Sequence, residues 1–90
     1  MAIKEPYLAL DLETTGLSPE RDAIIEIGMV KFTEERVLNT FDVFVNPKRP
    51  IPYQVTQLTG ITAADVAKAE TIDRLLPRVK SFIGNATIVG

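Results

Sequence analysis

Apolar and polar positions along this chain change their spacing part-way through. Tyr7-Leu8-Ala9-Leu10 is apolar on both faces and stops abruptly at Asp11-Leu12-Glu13, the pattern of a central, buried strand. Thr14-Thr15-Gly16-Leu17-Ser18-Pro19 reads as a turn and loop, with Gly16 and Pro19 as breakers. Residues 23–32, rich in Ile and Val, predict a second strand. Glu34-Glu35 marks a tight turn. A third strand follows over 36–45, whose second half alternates to put Phe41, Val43 and Val45 on one face. The short connections predict an antiparallel meander.

Past Val45 the period lengthens. Asn46-Pro47-Lys48-Arg49-Pro50-Ile51-Pro52 carries three prolines and must be an extended loop. A helical turn over Tyr53 to Leu58 should end at Gly60, and Thr62 is an N-cap for a brief helix over Ala63 to Ala67. Thr71 caps a longer helix over Ile72 to Ile83, with Leu75, Leu76, Val79, Phe82 and Ile83 forming one apolar stripe. Pro77 inside it is tolerable only in the first turns or at a bend. Gly84-Asn85 closes the helix, and Ala86-Thr87-Ile88-Val89 begins a fourth strand. The order β-β-β-α-β describes the start of a mixed α/β sheet. Ending on a fresh apolar strand, the chain is expected to be cut within its domain.

Composition narrows the functional classes. Ninety residues, 46% hydrophobic and 24% charged, make one small globular domain. Such a chain buries roughly 60–65% of its unfolded surface, so its stability margin is thin. A formal charge of −2 excludes a global basic field, so any polyanion contact must be local or metal-mediated. The lack of cysteine excludes disulfides, thiolate nucleophiles and Cys-based zinc sites. No apolar run approaches the roughly 20 residues that span a bilayer, and the N-terminus carries no signal-peptide core. A cytoplasmic location is therefore expected. The lack of histidine removes the usual general base near neutral pH.

The candidate chemistry begins with Asp11 and Glu13. Alternate strand residues share a face. Two carboxylates side by side at the carboxyl end of a buried strand repel each other, and a hard divalent cation, Mg²⁺ or Mn²⁺, resolves the conflict. From the D-x-E spacing alone, two solvated or capping acids are the commoner outcome. Glu26, mid-strand, is expected to be structural and to pair with a basic side chain. Lys48 and Arg49 could meet a nucleic-acid backbone but are more simply solvated loop charges. Asp65, Glu70 and Asp73 read as surface acids of helical segments.

The surroundings change the weight of the acidic pair. Leu8-Ala9-Leu10-Asp11-Leu12-Glu13-Thr14-Thr15-Gly16-Leu17, followed by Ile24-Ile25-Glu26-Ile27-Gly28-Met29-Val30, resembles the first motif of the DEDD superfamily of 3′–5′ exonucleases. That superfamily includes the DnaQ-like (epsilon-subunit) proofreading enzymes of bacterial replicases. Val45-Asn46-Pro47, Ile51-Pro52 and Leu58-Thr59-Gly60-Ile61-Thr62 continue the match in order, from Tyr7 to Gly90. The resemblance implies a ribonuclease H-like fold and metal-dependent hydrolysis of phosphodiesters from a 3′ end, in DNA proofreading or repair. It implies that Asp11 and Glu13 are catalytic ligands of two metal ions, Mg²⁺ or Mn²⁺. Thr14, Thr15, Gly16 and Leu17 match the loop that contacts the terminal nucleotide, and Thr59 and Ile61 a second wall against it. Ile61 fits core packing equally well. The implied substrate is the 3′ end of a single strand, DNA before RNA, with a polymerase or helicase as partner or fused domain. The superfamily needs four acids and a His or Tyr base, and this chain supplies two of the acids. Residues 1–90 are thus expected to be the N-terminal part of one exonuclease domain, cut before the second motif. Such a piece should cleave poorly or not at all, and should self-associate through its uncovered surface. The alternative is a non-catalytic nucleic-acid-binding or assembly module with a degenerate exonuclease fold.

Overall fold

The computed structural model describes residues 5–18 and 20–89. Three strands come first: β1 (Tyr7–Thr14), β2 (Ile24–Phe32) and β3 (Val37–Phe44). Helices α1 (Tyr53–Thr59), α2 (Ala63–Ala67) and α3 (Ile72–Ile83) then carry the chain to β4 (Thr87–Val89). The sheet order is β3-β2-β1-β4. β1–β2 and β2–β3 are antiparallel, and β4 joins β1 in parallel after the helical crossover. This is the mixed α/β sheet that the meander and helix spacing predict.

One sheet face and α3 make the main core. Leu8, Ile27, Met29 and Val45 meet Leu75, with Phe41, Val43, Val79, Phe82 and Ile83 packed around them. A second cluster joins Ile25 on β2 to Ile61 and Val66, so α2 and the turn before it close over the start of β2. Thr62 caps α2 as expected, accepting from the Asp65 N–H while Asp65 accepts from the Thr62 N–H. Gly60 ends α1 in the left-handed region, φ 78°.

β1 runs through both acids to Thr14, the strand end where the sequence places them, with Asp11, Leu12 and Glu13 paired to Gly28, Ile27 and Glu26. Three details depart from the sequence reading. β1 is not buried along its length. Leu8 is fully enclosed, while Leu10 and Leu12 are 41% and 40% exposed and belong to neither core cluster. α3 stands at Thr71, but its hydroxyl donates to the Asp73 carboxylate instead of capping the helix backbone. Pro77 lies past the first turn, and both it and Asp73, four residues back, face water. Among the described residues no helix is long and apolar enough to cross a membrane.

Candidate functional site

The acids gather on the sheet face opposite the main core. Strand alternation puts Asp11 and Glu13 on one side of β1. Register then aligns Asp11, Gly28 and Asp42 in one row across the three antiparallel strands, and sets Glu13 beside Glu26 in the next. Four carboxyl groups therefore share this face. Asp11 and Asp42 are exposed and Glu13 and Glu26 half-buried.

Among the described residues Glu26 pairs with no basic side chain, contrary to what its position in the sequence suggests. It hydrogen-bonds Asp42, and that contact, with burial and the charges of Asp42, Glu13 and Asp11, pushes its carboxyl up to about 7. A proton shared between two acids is how like charges coexist without a cation. The sequence signal was present but unreadable alone: alternation marks Asp42 as polar-facing, while only register brings it to Glu26.

The strand ends in a braced loop. The register shifts between Glu13 and Thr14, an irregularity that re-aims the chain as it leaves the sheet. Thr15 is 2% exposed and its hydroxyl is fully engaged inward, donating to Asp22 Oδ1 at 2.9 Å and accepting from the Ala23 N–H at 2.9 Å. Its own N–H donates to the Ala23 carbonyl at 2.8 Å. The Thr14 hydroxyl donates to the Gly16 carbonyl at 2.5 Å. Leu17, by contrast, projects fully into solvent. Asp22 escaped the sequence reading because its partners lie across the loop, not at a motif spacing.

The second predicted wall is tied to the same end of the sheet. Thr14 pairs with Ile24, and Ile61 packs on Ile25 next to it. Ile61 is 4% exposed, a core side chain in this structure. The Thr59 hydroxyl donates to the Val55 carbonyl at 2.8 Å and accepts from the Ile61 N–H at 3.1 Å. Leu58, one residue earlier, is the apolar side chain left exposed here.

A cleft of about 820 Å³ is lined by Thr14 and the loop that follows it, and by none of these four acids. Thr14, Gly16 and Leu17 form one wall, with Asn46 to Lys48 and Thr71 to Asp73 opposite. It is mainly apolar, whereas the acid face opens only a shallow depression at Glu26 and Asp42. The acids are the better guide to chemistry, since a mainly apolar wall supplies few oxygen ligands for a hard cation. Asp11 and Glu13 fit such a cation in donor type and in facing the same way. They do not fit in number, because among the described residues no three acids stand in metal-holding geometry.

An exonuclease family model matches residues 8–90. The chain is 45% identical over 85 residues to a PolC-type DNA polymerase III of Clostridium perfringens, covering 94% of this chain and 6% of that protein. It superimposes on exonuclease X in complex with 5′ overhanging duplex DNA with a TM-score of 0.71 and 32% identity, over 81% of this chain and 42% of that one. It also superimposes on the nuclease domain of a DEDDh-family 3′ exonuclease bound to rAMP, with a TM-score of 0.76 and 27% identity, over 91% and 46%. The chain thus spans less than half of each of these relatives.

Proposed function

The chain belongs to the exonuclease family, and from that membership we propose that it supplies the first metal motif and the nucleotide loop of a 3′–5′ exonuclease. The observation that carries this reading is the placement of Asp11 and Glu13 on one sheet face, immediately before the braced Thr14–Leu17 loop. Asp11 and Glu13 would hold Mg²⁺ or Mn²⁺, two ions once the remaining ligands are in place. When bound, such cations supply the charge that acidifies a water and offsets the leaving oxygen. Backbone groups of Thr14 and Gly16 would hold the terminal nucleotide, with Thr15, buried and bonded to Asp22 and Ala23, bracing them from within. Leu17 offers an apolar surface for the terminal base. Thr59 fixes the neighbouring turn, and Ile61 supports it from the core. DNA is the favoured substrate, given the similarity to a DNA polymerase III and to an exonuclease in complex with DNA.

Two carboxylates leave each cation short of ligands, so the 90-residue chain alone should show little turnover. The remaining acids and the general base would come from other parts of a longer protein. The test is a 3′-resection assay on single-stranded DNA with Mn²⁺. We expect no shortening by the 90-residue chain. In a longer relative carrying these residues we expect resection that Asp11→Asn lowers by about 10³-fold or more, the scale of losing a metal-bound nucleophile. Undiminished resection by that variant would remove Asp11 from the mechanism.

A further inference from the structure

The loop between β1 and β2 is organised by one side chain. Asp22 Oδ1 accepts from the Thr15 hydroxyl, and Oδ2 accepts from the Ser18 N–H, both at 2.9 Å. The Thr15 hydroxyl passes the contact on to the Ala23 N–H. Gly16 lies directly against the same carboxylate: a Cβ there would come within 2.6–2.8 Å of its atoms. Asp22 thus touches both sides of the Gly16 turn and excludes any side chain from it. The Ser18 amide first, then the Thr15 hydroxyl, hold its carboxyl below the usual aspartate range, with Arg49 and Arg21 adding to the effect. It is therefore charged throughout the neutral range. A charged acceptor makes the stronger class of hydrogen bond, which suits a brace on an otherwise apolar-walled loop.

We infer that Asp22 is the positioning residue of the nucleotide loop: its carboxylate fixes the Gly16 backbone relative to Asp11 and Glu13, and so sets affinity for the terminal nucleotide without touching metal. The inference rests on the exonuclease reading above. It makes two predictions that a merely structural turn would not. Nucleotide affinity and metal affinity must separate when Asp22 is removed. Asp22 and Gly16 must also be energetically coupled, because the carboxylate is what a Cβ at position 16 would strike.

The experiment titrates the 90-residue chain and its variants with deoxythymidine 5′-monophosphate in saturating Mg²⁺, following amide shifts by NMR. Separate titrations use Mn²⁺ alone. Asp22→Ala should weaken nucleotide binding by about tenfold, as misplacement of a positioning loop does. Its Mn²⁺ affinity should stay within about twofold, since nothing at Asp11 or Glu13 has changed. Asp22→Asn keeps one acceptor and should fall between. Gly16→Ala should weaken nucleotide binding in the wild-type background and add nothing in the Asp22→Ala background, where the space is vacated. Asp22→Ala that binds nucleotide like wild type while Ala23 amide exchange accelerates would overturn the inference, as would parallel loss of nucleotide and Mn²⁺. Wild-type chain that takes up Mn²⁺ but no nucleotide would instead overturn the exonuclease reading, and this inference with it.

Discussion

At the scale of single residues, the acid face makes a pH prediction. Glu26 holds its proton to about 7 in the fold, against an ordinary value of 4.5. The folded chain therefore binds that proton more tightly than the unfolded chain, and stability falls as pH rises through this window. In chelator-treated buffer, the melting temperature should be higher at pH 5 than at pH 8. Glu26→Gln should flatten the slope and raise the pH 8 melting temperature by a few degrees, as relief of one like-charge contact would in a domain this small. An unchanged slope would show that Glu26 and Asp42 do not share a proton. Asp11 and Glu13 were legible because i, i+2 spacing on a strand needs no tertiary knowledge. The Glu26–Asp42 contact and the Asp22 brace were not, since both depend on which residues register and loop closure bring together.

At the scale of elements, period and punctuation carried most of the fold. The Ile-rich run of β2, the alternation in β3, the Thr62 cap and the Gly60 and Gly84 stops all appear within a residue or two of where the sequence places them. The apolar run of β1 overstates its burial, because it does not show that Leu10 and Leu12 lie beyond the cover of α3, 41% and 40% exposed. The apolar stripe of α3 is the cover of the main core, and Leu75, 1% exposed, is its deepest side chain. Leu75→Ala should cost about 2–5 kcal/mol, the range for a buried leucine left as a cavity. That is a large share of the roughly 5–15 kcal/mol that holds a natural domain together. Urea unfolding followed by circular dichroism measures it. A cost of only a few tenths of a kcal/mol would mean that α3 does not seal the sheet.

At the scale of the whole molecule, the surface is larger than a closed domain of this mass would show. The chain exposes 6528 Å², where about 5,200 Å² is typical for 9.9 kDa. Its radius of gyration is 14.5 Å, against about 12 Å for a compact chain of this length. Leu10, Leu12 and Ile88, on neighbouring strands, are part of that excess. Light scattering at micromolar concentration should therefore find self-association that Leu12→Lys weakens, and a monomer throughout would contradict it. Asp11 and Glu13 are proposed to form a divalent-metal site at the mouth of a braced nucleotide loop. Paramagnetic broadening of amide signals by substoichiometric Mn²⁺ tests it most directly. The predicted result is loss of signal centred on Asp11 to Glu13 and their neighbours Glu26 and Gly28, abolished by Asp11→Asn. Broadening centred elsewhere, or unchanged by that substitution, would rule out a metal site at Asp11 and Glu13.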